Sequence, residues 1–356
     1  MSEVRAKKAL GQHFLVDLNI ARKICDALSG GVRPEAGAET RAVAAGSADA
    51  DAETRTRVAG YAGAGAEART MAAGSADAGA EARTKATGTA DADAETRRGV
   101  AASADARLAA DTTAAGAPAA AEEERSGAVP CDVLEVGCGM GVLTQFLLRR
   151  GDITTYGAEI DPESVEYLHA HFPEFAPRLI EGDCLKMNLR ERFPRGLKII
   201  GNFPYNISSQ IFFKVLEHGD LVPECVGMIQ KEVAVRIAEP PGSKEYGILS
   251  VLLQAWYDIE YLFTVNETVF NPPPKVKSAV IRLRRNSVGR LGCDETLFVK
   301  VVKASFGQRR KMIRNSLRAV FGDFGGAEHP FFTQRAEQLS VADFVQLTDW
   351  VAANRK

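Results

Sequence analysis

Val133-Leu134-Glu135-Val136-Gly137-Cys138-Gly139-Met140-Gly141-Val142-Leu143-Thr144 is the stretch that decides the fold. An apolar run ends in glycines two apart, and a helical pattern follows. That order reads as strand, tight loop and helix, with glycine allowing close approach to the backbone at a helix N-terminus. Working outward, short apolar runs recur at 154–159, 178–181, 197–201 and 225–230, with helical stretches such as 141–149 and 162–170 between them. Strands alternating with helices predict an α/β fold, a mainly parallel sheet covered by helices. A helix is expected earlier, over 17–28, and late edge strands over 252–263 and 278–284. From about Gly289 the pattern turns helical, which predicts a small C-terminal domain over 289–356 after a main domain over 1–288.

The main domain is interrupted. Residues 34–128 carry six large apolar side chains, Val43, Val58, Tyr61, Met71, Val100 and Leu108, and no Ile, Phe or Trp. Such a segment cannot build a core. Ala-Glu-Thr/Ala-Arg units start at residues 38, 52, 66, 80 and 94, a period of 14. Solenoid repeats stack by burying an apolar face, which these units lack, so a disordered low-complexity insertion is expected rather than a packed array. Lengthening a surface loop from about 10 to about 95 residues adds only ~2 kcal/mol of closure entropy. The net charge of −2 hides the difference, since the 261 residues outside the insertion carry +4.

No window approaches the ~18–20 apolar residues of a membrane span, and the basic Met1–Lys8 stretch leads into no apolar signal region. The six cysteines form no CxxC pair and no Cys/His cluster at zinc spacing, which suits a reduced cytoplasmic protein without a metal. Nothing in the sequence requires more than a monomer.

The glycine loop taken alone is compatible with a bare turn, a dinucleotide or S-adenosylmethionine. Its Gly-x-Gly-x-Gly spacing breaks from GxGxxG at Val142 and favours the methyl donor. Glu159 follows about 20 residues on, where a carboxylate can accept from both ribose hydroxyls. Asp183 closes the third strand and can accept from an adenine amine. After the fourth strand comes Gly201-Asn202-Phe203-Pro204-Tyr205-Asn206-Ile207-Ser208. An exocyclic adenine amine is a poor nucleophile because its lone pair is delocalised into the ring. Methylating it calls for acceptors on both N–H groups: the Asn202 side-chain oxygen and the Phe203 carbonyl qualify. Pro204 can fix the turn, and the Tyr205 ring can stack on the base.

This order of motifs resembles the ribosomal RNA adenine dimethyltransferases, most of all the bacterial small-subunit (16S) family associated with kasugamycin sensitivity. The resemblance spans the chain outside the insertion. It extends to Lys8-Ala9-Leu10-Gly11-Gln12-His13-Phe14-Leu15, Gln230-Lys231-Glu232-Val233, Tyr246-Gly247-Ile248-Leu249-Ser250, Phe270-Asn271-Pro272-Pro273-Pro274-Lys275-Val276-Lys277-Ser278 and Arg309-Arg310-Lys311-Met312-Ile313-Arg314-Asn315-Ser316-Leu317. It implies a Rossmann-like S-adenosylmethionine-dependent methyltransferase sheet. Gln12, His13 and Leu15 would close over the donor's amino-acid end, and Gly137, Gly139 and Gly141 would shape its loop. Glu159 would take the ribose, Asp183 the adenine, and Asn202 both donor and target. Phe270 is implied to stack on the target base opposite Tyr205. The implied substrate is two adjacent adenines near the 3′ end of small-subunit RNA, each receiving two methyls, with a role in subunit biogenesis. Three positions depart from the family pattern: His13 replaces the usual Asn, Phe203 the common Leu, and Asn266 a Pro.

From Pro274 to Arg318 there are 13 Lys/Arg against two acids, Asp294 and Glu295. Lys275, Lys277, Arg309, Arg310, Lys311 and Arg314 are the candidate RNA contacts, and 309–318 places cations at what reads as helical spacing. A large-subunit RNA methylase, a DNA adenine methylase and a ribosome-assembly factor without turnover are the rival readings. The 270–278 segment and the basic tail oppose the first, the lack of a target-recognition domain the second, and the retained Glu159, Asp183, Asn202 and Tyr205 the third. Deleting 34–128 is expected to leave folding and methyl transfer within about twofold of the full chain. Thermal melting and a donor-label assay check this; an unfolded deletion variant refutes it.

Overall fold

Val133 and Leu134 are both buried, yet they enter different apolar clusters on the two faces of one strand. A central parallel strand is covered on both sides, so it reads as a continuous apolar run instead of an alternating one. In this computed structural model the described residues are 7, 10–30 and 130–355, and the expected disordered insertion at 34–128 lies outside them. The chain begins with β1 (Phe14–Leu15) and α1 (Leu18–Ala27). It continues through β2 (Cys131–Val136), α2 (Thr144–Leu147), β3 (Ile153–Glu159), α3 (Pro162–His171), β4 (Leu179–Glu181), α4 (Leu189–Arg192), β5 (Lys198–Asn202), α5 (Ser208–Glu217) and β6 (Glu224–Gln230). Then come α6 (Lys231–Ala238), α7 (Ile248–Gln254), β7 (Tyr257–Val265), β8 (Phe270–Asn271), β9 (Ser278–Arg285), α8 (Glu295–Gly307), α9 (Ile313–Phe321) and α10 (Val341–Asn354).

Seven strands form one sheet in the order β4-β3-β2-β5-β6-β9-β7. The first five are mutually parallel, and β9 and β7 add antiparallel. The chain winds from β2 outward to β4 and then returns to β5 on the other side of β2. The crevice between the carboxyl ends of β2 and β5 is therefore a topological switch point, where ligands of such sheets bind. Strand register puts Val136 beside Ala158, Glu159 beside Glu181 and Asn202 beside Met228, so the loops after β2, β3, β4 and β5 all leave from that edge.

On one face α1 packs Ala21, Ile24, Cys25 and Leu28 against Val133, Ile200, Val226 and Val280. On the other, α5 and α7 share one apolar cluster with α8, α9 and α10, so the C-terminal helices pack continuously with the sheet. Two expectations need correcting. Residues 252–254 are the end of a helix, not the start of a strand, because a short buried apolar run has no periodicity to separate the two. The expected helix over 141–149 is regular only at Thr144–Leu147. Among the described residues no helix is long and apolar enough to cross a membrane, and no group of three His, Cys, Asp or Glu is placed to hold a metal.

The opposite edge of the sheet holds the end of α1. Lys198 Nζ donates to the carbonyls of Ser29 (2.9 Å) and Gly30 (3.0 Å) and pairs with Glu224 at 3.1 Å. Arg150 donates to the carbonyls of Cys25 and Leu28, and the Ser29 hydroxyl donates to Glu224. Cations at a helix C-terminus satisfy carbonyls that the helix leaves open. Burial favours a protonated Glu224, but the bonds from Ser29 and Lys198 outweigh it and hold its carboxyl below the ordinary value. Its stabilisation is thus complete above about pH 4.3 and lost as pH falls through the lowered value. Lys198→Met removes one charged partner of the buried Glu224 carboxylate, which keeps Ser29 and Arg284 at 3.7 Å, and is expected to cost about 1.5–3 kcal/mol in urea unfolding, while Lys198→Met with Glu224→Leu recovers most of it. Equal losses for the single and double variants would refute the pairing.

Candidate active site

The glycine loop turns where β2 ends. Gly137, Gly139 and Gly141 all have positive φ, 76°, 53° and 74°. Only glycine takes that conformation without strain. A Cβ at Gly139 would also meet the Phe14 ring at 3.2 Å. At Gly141 it would strike Phe172 at 2.4 Å, so Gly141 serves loop-to-helix packing and does not line the cleft.

Glu159, at the end of β3, closes this loop. One carboxylate oxygen accepts from the Gly139 amide (2.8 Å), the other from Ile160 and Asp161 (2.9 Å each). A carboxylate offers about four acceptor sites, so capacity remains for a hydroxyl partner. Burial raises its pKa, and the three amides only partly offset this.

Residues 11–14 line the cleft from the N-terminal side. The Asn202 side chain faces the His13 carbonyl at 2.9 Å; a carbonyl only accepts, so the atom there is Nδ2, and Oδ1 is left to accept elsewhere. The Phe203 amide donates to the Met228 carbonyl (3.0 Å), while no described residue donates to the Phe203 carbonyl. The Phe203 ring lies over the paired glycines Gly201 and Gly227, where a Cβ would come within 2.8 Å and 2.5 Å of it. Its extra bulk relative to Leu therefore enters the core, edge-on to Phe212. The Tyr205 hydroxyl shares a 2.6 Å hydrogen bond with Ser278, and its ring lies 5.3 Å from that of His13. His13 Nδ1 donates to the Pro272 carbonyl at 2.9 Å, since a carbonyl only accepts.

Together Gly11, Gln12, His13, Phe14, Gly137, Gly139, Glu159 and Asn202–Tyr205 line one open cleft at the switch point. Asp183 is not among the residues that line it; it is the N-cap of the turn Cys184–Lys186, with Oδ1 accepting from the Leu185 amide. Leu15 and Phe270 are elsewhere: paired in the β1–β8 ribbon, they are 2% and 4% exposed in the apolar cluster under α1. A stacking role for Phe270 thus requires that ring to leave the cluster.

Lys275, Lys277, Arg310 and Lys311 are exposed, and Lys277 adjoins the Ser278 that holds Tyr205. Arg309 lies 3.8 Å from Glu337 and Arg314 3.4 Å from Glu328. The expected helical spacing of 309–318 is corrected: Arg309, Arg310 and Lys311 occupy the turn between α8 and α9, closed by the Lys311 amide on the Gln308 carbonyl, and only Arg314 and Arg318 are on a helix.

Sequence reasoning missed three site groups. Asp161, with no exposed surface, caps α3 and is gripped by Lys7 and by Gln12 at 3.4 Å. Burial alone would raise it, but Lys7, Ser164 and Gln12 overcome that and hold its carboxyl below the usual range. The Asp161-Pro162 pair was a readable cap signal; Lys7 had none. Glu135, 1% exposed inside an otherwise apolar strand, was the third, and such a charge is itself a signal. Burial pushes it up to about 8, only partly offset by the Thr144 hydroxyl at 2.6 Å.

A doubly wound sheet with a positive-φ glycine loop, an amide-held acid one strand on and an Asn-Phe-Pro-Tyr turn at the switch point defines an S-adenosylmethionine-dependent methyltransferase. The cleft fits that donor, since its glycines leave the space a Cβ would fill and Glu159 keeps acceptor capacity. The family model for ribosomal RNA adenine dimethylase matches residues 130–353. The chain belongs to the ribosomal RNA adenine dimethylase family. It is 60% identical over 218 residues to the ribosomal RNA small subunit methyltransferase A of Parabacteroides distasonis, spanning 61% of this chain and 81% of that one. The Bacteroides thetaiotaomicron protein of the same description is 59% identical over 221 residues, 62% of this chain and 82% of that one. Among solved structures, a dimethyladenosine transferase from Plasmodium falciparum superposes with a TM-score of 0.53 at 25% identity, covering 63% of this chain and 90% of that one.

Because the folded chain keeps Glu135 protonated up to about pH 8 and the unfolded chain ionises it near 4.3, its contribution to stability falls as pH rises between those values, by about 1.4 kcal/mol per pH unit. Glu135→Gln is expected to flatten that fall in chemical denaturation from pH 5 to 8. An unchanged slope would show Glu135 ionised in the fold.

Proposed function

We propose that this enzyme transfers methyl groups from S-adenosylmethionine to the N6 amines of two adjacent adenines in a hairpin near the 3′ end of small-subunit ribosomal RNA, giving N6,N6-dimethyladenosine. It acts on the RNA or pre-ribosomal particle in the cytoplasm, as a monomer, with a role in subunit biogenesis. Family membership and the small-subunit description of the relatives support this substrate. The observation that carries the chemistry is the Asn202 amide turned by the His13 carbonyl so that Oδ1 remains an acceptor, beside the Phe203 carbonyl, to which no described residue donates.

When bound, the donor supplies an electrophilic methyl on a sulfonium centre. Asn202 Oδ1 and the Phe203 carbonyl accept the two N–H groups of the target amine, aligning its lone pair. The Tyr205 ring, half-buried and pinned by Ser278, offers a face for the base. Glu159 receives the donor's ribose and Asp183 its adenine; Gln12 and His13 cover the amino-acid end. No base acts before attack, because the amine becomes acidic only as it alkylates; positioning and polar acceptors provide the rate. The exposed Lys275, Lys277, Arg310 and Lys311, with Arg309 and Arg314, take RNA phosphates with an affinity that weakens in salt. Single-stranded or loop adenines suit the site, since such bases can be splayed out and stacked.

The test is methyl transfer from labelled donor to unmethylated small subunits, followed by nuclease digestion and mass analysis. Labelled dimethyladenosine in the small-subunit RNA is the expected product. Asn202→Ala is expected to lower kcat by about 10²–10³ with RNA affinity within about twofold. Equal loss of both would remove Asn202 from the chemical step.

A further inference from the structure

Lys214 has no part in the site as described so far. It lies on α5, the helix that starts three residues after Tyr205, and is partly buried. Its Nζ donates to the carbonyls of Leu185 (3.0 Å) and Met187 (2.6 Å). Those carbonyls belong to the end of the short turn Cys184–Lys186, whose N-cap is Asp183. The turn is thus held at its start by the Asp183 carboxylate on the Leu185 amide and at its end by an ammonium on another helix.

Packing adds to this hold: Cys184 is buried in the apolar cluster on that face of the sheet, and Leu185 and Met187 pack against it. Packing supplies no partner for the Leu185 and Met187 carbonyls, and the Lys214 ammonium does. Partial burial disfavours the ammonium and lowers the pKa of Lys214, with Glu217, Cys184 and Asp183 the titratable groups in its field. The two carbonyl hydrogen bonds of the ammonium offset that cost.

We infer that Lys214 is a positioning residue for the donor's adenine: by anchoring 184–187 to α5 it sets where the second oxygen of Asp183 stands. The same helix follows directly from the Asn202–Tyr205 turn, so one rigid element relates the donor's base to the target amine. This rests on the reading that Asp183 accepts from the adenine amine.

The test measures binding of S-adenosylhomocysteine by calorimetry, alongside its inosine counterpart, which carries a carbonyl in place of that amine. Lys214→Met is expected to weaken S-adenosylhomocysteine binding about tenfold and to narrow its preference over the inosine counterpart, with kcat at saturating donor within about twofold of wild type. Lys214→Arg, which keeps a cationic donor, is expected to restore most of both. Hydrogen exchange at residues 183–187 should quicken in the methionine variant and not in the arginine one. If Lys214→Met does not fold, Lys214→Gln gives the same comparison. Unchanged affinity and preference in the folded variant would overturn the inference, as would loss of kcat with neither altered. Asp183→Asn separates the two readings: if it binds and discriminates like wild type, the adenine assignment of Asp183 is what fails.

Discussion

Three backbone amides, those of Gly139, Ile160 and Asp161, converge on one buried carboxylate, and the site is built around that convergence. The Glu159 bonds tie the loop after β2 to the end of β3, so the glycine loop cannot open without exposing unpaired amides at its own strand edge. Charge-assisted bonds of this kind are about twice as strong as neutral ones, and burial makes leaving them unmade costly. The loop conformation that makes room for a ligand is thus enforced by the same side chain that would hold the ligand's ribose.

A second constraint reaches across the cleft from the N-terminal segment. Lys7 and Gln12 grip Asp161 at the start of α3, the His13 carbonyl turns Asn202, and β1 pairs with β8 next to Pro272. The 11–14 segment and the segment that starts at Phe270 are consequently one ribbon, and His13 meets both the Pro272 carbonyl and the Tyr205 ring. Two direct bonds of 2.9 Å, His13 to the Pro272 carbonyl and Asn202 to the His13 carbonyl, connect the two sides. The far edge of the sheet is secured separately by Lys198, Arg150 and Glu224, so residue 30, the last described before the insertion, is anchored away from the cleft.

Particular residues show what was readable and what was not. The strand at Cys131–Val136, the helix over 17–28 and the acids at the ends of β3 and β4 follow from local pattern, since apolar runs, helical spacing and glycine torsions are properties of neighbouring residues. Residues 252–254 and 309–311 were misread because short buried helices and basic turns carry no periodicity of their own. Lys7, Ser278 and Lys214 gave no signal. Each acts through a partner at least 27 residues away: Lys7 on Asp161, Ser278 on Tyr205 and Lys214 on Met187.

By itself, then, the sequence determined the alternation of strands and helices in a mainly parallel sheet, the glycine loop after β2 and the acids at the ends of β3 and β4, because each of these is written in local spacing. Only the tertiary structure decided which way the Asn202 amide faces, where the Phe203 and Phe270 rings go, and what holds Asp161, Tyr205 and the turn after Asp183. Those depend on atoms meeting across the fold, where a carbonyl, a cation or a glycine on a distant strand sets the orientation that no neighbour in sequence can specify.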